Sequence, residues 1–235
     1  MSSNSNLQEL KFKILIIGDS AVGKTSMLLK YLDNFFPQEH IATIGVEFRT
    51  KTLIKGKFKI NLNIWDTAGQ ERFKSLTKSF FSGATGVVFV YDITRRDSYD
   101  GVKSWIKDFE DYGKYDRVLC GNKLDLEKKR EVNFDELKEY GLKKKIEILE
   151  TSAKDGTNLN EAFDKLVEVI MKNRSEAQLL RDFGMNAKPR GLSITKNDHK
   201  PESGQKKNAA NKMKIKYQIF YNIGINNKKE CCLFN

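Results

Sequence analysis

The chain alternates between short apolar stretches and polar segments, and the period of this alternation changes along its length. Residues 11–17 and 86–91 contain continuous apolar runs, as strands buried on both faces do. In residues 58–65 every second position is apolar, which predicts a strand with one buried face. Apolar positions at helical spacing predict four helices, at 24–31, 98–112, 134–140 and 159–172.

Three further strands are predicted, at 46–54, 118–121 and 146–150. Residues 55–57 have the composition of a tight turn, so they predict a hairpin between the strands on either side. Strands that otherwise alternate with helices indicate a parallel sheet covered by helices on both faces. The expected fold is therefore an α/β domain with a mostly parallel six-stranded sheet and one antiparallel edge strand.

Composition divides the 235 residues into a flexible N-terminus (1–10), one domain (11–176) and a tail (177–235). Of the net charge of +11, most lies in the tail, which holds 12 Lys and Arg against four Asp and Glu. Residues 184–212 are rich in Asn, Lys, Gly, Ser and Pro, so the tail is expected to be largely disordered. An apolar stretch at 214–225 interrupts it, and no role is assigned to that stretch.

The position of the positive charge bears on the kind of partner. Residues 1–176 are nearly balanced, with 30 Lys and Arg against 27 Asp and Glu, whereas nucleic-acid-binding domains carry a basic surface on the folded part. We therefore expect no nucleic-acid partner, and the basic tail fits either an anionic membrane surface or a solvated linker. Residues 1–10 lack signal-peptide order, Ser2 does not fit N-myristoylation, and no apolar run approaches about 20 residues, so the cytosol is the expected compartment.

Three cysteines occur, Cys120, Cys231 and Cys232. Their number and spacing exclude a disulfide framework and a four-ligand zinc site. Cys120 lies in an apolar strand pattern and is expected to be an inert core residue. The adjacent pair Cys231 and Cys232 has no explanation in packing.

A glycine-rich loop after the first predicted strand matches the pattern G-x-x-x-x-G-K-[ST]. Such a loop wraps backbone N–H groups around phosphate oxygens at the positive end of a helix dipole. Lys24 is expected to reach the β- and γ-phosphates, and the Thr25 hydroxyl to bind Mg²⁺. The alternative is a chance glycine-rich turn. The predicted phosphate site comprises Gly18, Asp19, Ser20, Ala21, Val22, Gly23, Lys24, Thr25 and Ser26.

A second motif separates GTPases from P-loop kinases and ATPases. Asn122, Lys123 and Asp125 form N-K-x-D after an apolar strand, at the sheet edge where α/β folds bind ligands. The Asp125 carboxylate pairs with the two N–H donors of guanine, a pair that adenine lacks, and an unpaired buried carboxylate costs about 1–3 kcal/mol. The guanine site is completed after the next strand by Ser152, Ala153 and Lys154. The alternative is a polar loop with Ser152 as a helix cap.

Hydrolysis and magnesium binding are assigned to residues near the strand end at position 66. Asp66 is expected to hold Mg²⁺ through water, and Gly69 to offer its N–H to the γ-phosphate. Gln70 is the candidate catalytic residue, because its amide can orient the attacking water. Thr43 is the second expected protein ligand of Mg²⁺; an ordinary strand-edge threonine is the alternative.

With these motifs in place, residues 11–174 resemble the Rab family of the Ras superfamily. Further matching segments are 44–48, 70–73, 80–84, 90–94 and 150–154. The resemblance implies that Phe36 packs edge-on against guanine. It also implies an effector region made of His40, Ile41, Ala42, Thr43, Ile44, Gly45, Val46, Glu47 and Phe48.

The sequence departs from the family pattern in three places. His40 stands where the family has Tyr, and Ser82 stands where it has Arg. The segment between 98 and 122 is about two residues shorter than in common Rabs. Residues 94–97 resemble a Rab branch linked to endoplasmic reticulum and lipid droplets.

The resemblance implies a GTP/GDP switch in vesicle traffic that hydrolyses GTP slowly with help from a GTPase-activating protein. The other implied partners are an exchange factor, effectors, a Rab escort protein and a GDP-dissociation inhibitor, with the chain itself a monomer. Cys231 and Cys232 resemble a double geranylgeranylation site, which would place the protein on the cytoplasmic face of an intracellular membrane. The rival interpretations are a scaffold that binds GTP without hydrolysing it, and a P-loop kinase or ATPase.

Overall fold

A computed structural model describes residues 7–38, 46–67, 82–110 and 115–185. Its strands are β1 (Gln8–Ile17), β2 (Val46–Lys55), β3 (Phe58–Thr67), β4 (Gly86–Asp92), β5 (Asp116–Asn122) and β6 (Glu147–Glu150). Its helices are α1 (Lys24–Asp33), α2 (Arg96–Glu110), α3 (Phe134–Lys144), α4 (Leu159–Lys172) and α5 (Glu176–Phe183), with a 3₁₀ helix at Leu124–Lys129. Within these ranges, no helix has both the length and the apolar character needed to cross a bilayer.

The strands form one sheet in the order β2-β3-β1-β4-β5-β6. Neighbouring strands are parallel except for β2 and β3, which form an antiparallel hairpin around Gly56 at a φ of 58°. The expected six-stranded sheet with one antiparallel edge strand is therefore confirmed. Strand β1 lies between β3 and β4. The chain after β1 first builds the β2–β3 hairpin on one side of β1 and then crosses to β4 on the other side. Such switch points in α/β sheets are where ligands bind.

The end of β1 is buried on both faces of the sheet, as its continuous apolar run predicted. Phe12, Ile14 and Ile16 belong to the core beneath α1, α4 and α5, and Leu15 and Ile17 belong to the core beneath α2 and α3. In β3, by contrast, buried and half-buried positions alternate, as expected from its period of two. The two cores hold the carboxyl ends of β1, β3, β4 and β5 in fixed positions.

The folded region is longer at both ends than the expected domain of 11–176. Strand β1 begins at Gln8, and α5 follows α4 after a short turn. A capping box of Ser175 and Gln178 starts α5, whose Phe183 ring lies edge-on to Phe12 at 5.2 Å. From the sequence, this helix is expected to be part of the tail, because eight residues give only a weak periodic pattern.

Candidate functional site

The glycine-rich loop turns tightly between β1 and α1. Gly23 has a φ of 96°, and a Cβ there would lie 2.4 Å from Nδ2 of Asn122, so only glycine fits. The Lys24 ammonium donates to the backbone oxygens of Gly18 at 2.9 Å and Asp19 at 2.7 Å. The loop therefore curls around the lysine nitrogen at the N-terminus of α1.

Burial sets the electrostatics of Lys24. Its side chain is only 5% exposed, and desolvation lowers its pKa to about 8, against the opposing effect of the Asp66 and Asp19 carboxylates. The ammonium therefore stays charged at neutral pH. Together with the N–H groups at the start of α1, it makes this loop a binding site for an anion.

Asp66 and Thr25 meet beside this loop. The Thr25 hydroxyl donates to Asp66 Oδ2 at 2.5 Å, while Asp66 Oδ1, also buried, has no hydrogen-bond partner among the described residues. Burial raises the pKa of Asp66 to about 6. A buried carboxylate with an unsatisfied oxygen next to a hydroxyl is the oxygen donor set that a hard cation takes, so these residues fit Mg²⁺.

Asn122, at the end of β5, connects two loops at the carboxyl edge of the sheet. Its side-chain nitrogen donates to the Val22 carbonyl of the glycine-rich loop at 2.9 Å. Its Oδ1 accepts from the Ala153 N–H at 3.1 Å and the Thr151 hydroxyl at 3.3 Å. Because Asn122 is fully buried, these bonds clamp the phosphate loop to the loop after β6.

The structure brings together Asp125 and Ser152, two residues that the sequence predicts at the guanine base. The Ser152 hydroxyl donates to Asp125 Oδ1 at 2.8 Å, and the Leu124 N–H donates to the Thr151 carbonyl at 3.0 Å. The first bond orients the Asp125 carboxylate, and the second holds its loop against the loop after β6. Both motifs therefore form one face next to the phosphate loop.

Lys123 has a partner that the sequence did not reveal. Its backbone is left-handed, with a φ of 70°, and its ammonium lies 2.6 Å from Asp92 Oδ2. Asp92 is buried at the end of β4, where its other oxygen accepts from the backbone and hydroxyl of Thr94. A carboxylate that ends an apolar strand needs a cation or hydrogen-bond donors beside it, so the position of Asp92 indicated such a partner without identifying Lys123.

A second surface lies on the hairpin side of the sheet. Phe48, from the predicted effector region, is 41% exposed and lies edge-on to Trp65 at 5.2 Å. The Lys13 ammonium lies 4.9 Å from the Trp65 ring centre and donates to the Ser82 carbonyl at 2.8 Å. Burial lowers the pKa of Lys13 to about 8. Trp65 and Lys13 thus support Phe48, and neither had been assigned to this surface.

The described residues contain only part of the predicted site. Phe36 packs against the core beneath α1 and α4, and Ser26 lies in the first turn of α1. The predicted residues outside the described ranges are His40, Ile41, Ala42, Thr43, Ile44, Gly45, Gly69, Gln70, Cys231 and Cys232.

Comparisons with known proteins identify the family of this chain. The sequence profile of the Ras family matches residues 13–172. The chain is 46% identical to "Ras-related protein Rab-1C" of Dictyostelium discoideum over 167 residues, covering 70% of this chain and 83% of that protein. It is 42% identical to "GTP-binding protein YPT1" of Saccharomyces cerevisiae over 170 residues, 72% of this chain and 82% of that protein. It is 40% identical to "Ras-related protein Rab-3C" of Mus musculus over 179 residues, 75% and 78% of the two chains. The chain therefore belongs to the Ras family, and within it to the Rab group of small GTPases.

Proposed function

We propose that this Rab-family GTPase is a GTP/GDP switch in vesicle traffic. Its nucleotide site is formed by the glycine-rich loop, Asn122, Asp125 and the loop after β6. The observation that carries the proposal is the Asn122 clamp. Its amide joins Val22 in the phosphate loop to Ala153 and Thr151 in the loop after β6. The loop that binds the phosphates and the loop that binds the base are therefore held together by one side chain.

Guanine selection is assigned to Asp125. The Ser152 hydroxyl holds this carboxylate in place, so it is oriented before the nucleotide arrives. It accepts from the N1–H and the exocyclic amine of guanine. Adenine would leave the carboxylate unpaired, and that loss disfavours ATP.

Phosphate binding is assigned to Lys24 and to the N–H groups of the loop around it. Thr25 and Asp66 would hold Mg²⁺, with Thr43 as the further ligand. When bound, the ion neutralises charge on the β- and γ-phosphate oxygens. The Asp66 carboxylate and the Lys24 ammonium lie close together. One buried site can therefore bind a cation at Asp66 and phosphate anions at Lys24.

Hydrolysis is assigned to Gln70, which orients the water that attacks the γ-phosphorus. The water oxygen forms a bond to the γ-phosphorus, and the bond from that phosphorus to the β–γ bridging oxygen breaks, with its electron pair going to GDP. The protons of the water go to the inorganic phosphate and the surrounding solvent. We expect a rate like that of Ras, of the order of 10⁻⁴ s⁻¹, which a GTPase-activating protein raises by supplying positive charge.

The switch is assigned to the segments that carry Thr43 and Gly69. Both contact the γ-phosphate side of GTP, so loss of that phosphate releases them and changes the surface that effectors read. An exchange factor reloads GTP. A Rab escort protein presents Cys231 and Cys232 for geranylgeranylation, and a GDP-dissociation inhibitor extracts the lipidated protein into the cytosol.

The test is nucleotide competition followed by single-turnover hydrolysis on the full chain. Unlabelled GTP and GDP should displace a fluorescent GDP analogue, whereas ATP at the same concentration should not. Loaded GTP should then decay slowly, and Gln70→Leu should slow the decay further while leaving GDP affinity unchanged. Equal displacement by ATP would refute the guanine site. Stable GTP in the wild-type protein would identify a scaffold that binds without hydrolysis.

A further inference from the structure

Asp19 is an acidic residue inside the loop proposed to bind phosphate, and its backbone carbonyl and its side chain face opposite ways. Its backbone carbonyl accepts from the Lys24 ammonium at 2.7 Å, on the inner side of the loop. Its half-buried side chain points outward to α2, where Oδ1 accepts from the indole N–H of Trp105 at 2.8 Å. The loop's own negative charge is therefore held on the side away from the lysine.

Gly101 completes this arrangement. It lies inside α2, where glycine weakens a helix relative to alanine. A Cβ at Gly101 would lie 2.0 Å from Oδ2 and 2.8 Å from Cγ of Asp19. The carboxylate thus rests directly on the helix backbone, which explains why a small residue occupies this position.

The neighbouring Arg95 gives the loop a second attachment. Its guanidinium donates to the Ser20 carbonyl at 3.3 Å and is itself held by Asp97. The backbone of the loop is therefore attached just before α2, by Arg95, and the side chain of Asp19 is attached within α2, by Trp105. Trp105, only 5% exposed, is the buried member of this set.

We propose that Trp105 and Gly101 are positioning residues that hold the Asp19 carboxylate against α2, so that its charge does not face the phosphates of a bound nucleotide. This inference rests on the proposed nucleotide site. A carboxylate turned inward would stand a few ångströms from the phosphates, and repulsion between like charges at that distance is large enough to weaken binding about tenfold. Neither residue touches the nucleotide in this proposal; both act through Asp19.

Two substitutions disturb the contact from opposite sides. Trp105→Phe removes the N–H donor and keeps an aromatic ring. Gly101→Ala adds the Cβ that displaces the carboxylate, while favouring the helix. Val102→Ala is the matched control, because Val102 is fully buried in the same helix and the same core.

The measurement is the dissociation rate of fluorescent GDP and GTP analogues from the full chain, alongside urea unfolding. We expect both variants to release GTP about tenfold faster than wild type, and GDP less so because it carries less charge. Combining the two substitutions should add little, since both break one contact. Asp19→Asn in the Trp105→Phe background should restore slow release, because the amide is neutral.

A purely structural role gives a different pattern. In that case Val102→Ala and Trp105→Phe would speed release in proportion to their loss of stability, and Asp19→Asn would not rescue. Release that follows the loss of stability in both variants would overturn the proposal, and so would a failure of Asp19→Asn to rescue. Release from Gly101→Ala at the wild-type rate would overturn it as well. A wild-type chain that fails to bind GTP would instead refute the nucleotide site itself, so the two failures are distinguishable.

Discussion

At the scale of single residues, the site depends on side chains that hold other side chains. Asn122 clamps two loops, Ser152 orients Asp125, and Asp92 neutralises Lys123. The sequence predicted Asn122, Asp125 and Ser152 from their motifs. It did not predict their contacts, because Asn122 and Val22 are 100 residues apart and meet only through the order of strands.

Asp125→Asn should change base specificity. The new amide donates a hydrogen bond where the carboxylate accepted one, so GTP affinity should fall at least about tenfold while affinity for xanthosine triphosphate rises. Competition against a fluorescent GDP analogue measures both changes. Asp135→Asn removes an exposed carboxylate at the start of α3 and should leave specificity unaltered. Retention of the wild-type preference for GTP in the Asp125 variant would mean that another group reads the base.

Thr25→Asn should weaken GTP binding more than GDP binding. The Thr25 hydroxyl lies 2.5 Å from Asp66 Oδ2, and the larger amide cannot keep its place beside that carboxylate. Titration with each nucleotide, with Mg²⁺ and then with excess EDTA, gives the readout. Chelation should reduce wild-type affinity for GTP strongly and that of the variant only slightly. Equal sensitivity of the two proteins to EDTA would separate Thr25 from the magnesium site.

At the scale of elements, local patterns predicted the strands well and the last helix poorly. The apolar run in β1 and the alternation in β3 each indicate a strand from the local sequence alone, so both strands were predicted. Helix α5 has eight residues and two buried apolar side chains, Leu179 and Phe183. Its place depends on Phe12, which lies at the other end of the folded chain, and no short window of sequence contains both residues.

Phe183→Ala should destabilise the domain by about 3 kcal/mol, because it removes a buried ring and leaves a cavity against Phe12. Urea unfolding of the GDP-loaded protein measures the change. Met185→Ala is the control, since Met185 is 57% exposed and its loss should cost less than about 0.5 kcal/mol. If both variants unfold at the wild-type urea concentration, α5 does not contribute to the stability of the domain.

At the scale of the whole molecule, most of the net positive charge lies in the same segment as Cys231 and Cys232, residues 177–235. The part of the chain after residue 176 carries 12 Lys and Arg against four Asp and Glu, and Cys231 and Cys232 follow a stretch rich in lysine. One lipid chain of myristoyl length binds a membrane only marginally, near 10⁴ M⁻¹, whereas two signals give stable anchoring. Basic residues add attraction to anionic lipid.

The double substitution Cys231→Ser and Cys232→Ser should therefore leave the protein entirely in the cytosolic fraction. Intact-mass measurement of wild-type protein from its native cell should show two isoprenoid additions. Cys120→Ser is the control, because Cys120 is fully buried in β5 and its loss leaves the anchor in place. Unmodified wild-type protein, or membrane binding by the double variant, would exclude lipid anchoring through this pair.

Helix α5 places the last described residues beside the start of β1. Gly184 pairs with Leu10 near the start of β1, whereas the glycine-rich loop follows the end of that strand, about 23 Å away. Cys231 lies 46 residues beyond Met185, and that length of chain spans at most about 160 Å. Lipidation of Cys231, as proposed above, would therefore tether the domain from the end of β1 opposite the glycine-rich loop. The lipid would then set how far from its membrane the domain can reach, at most about 160 Å.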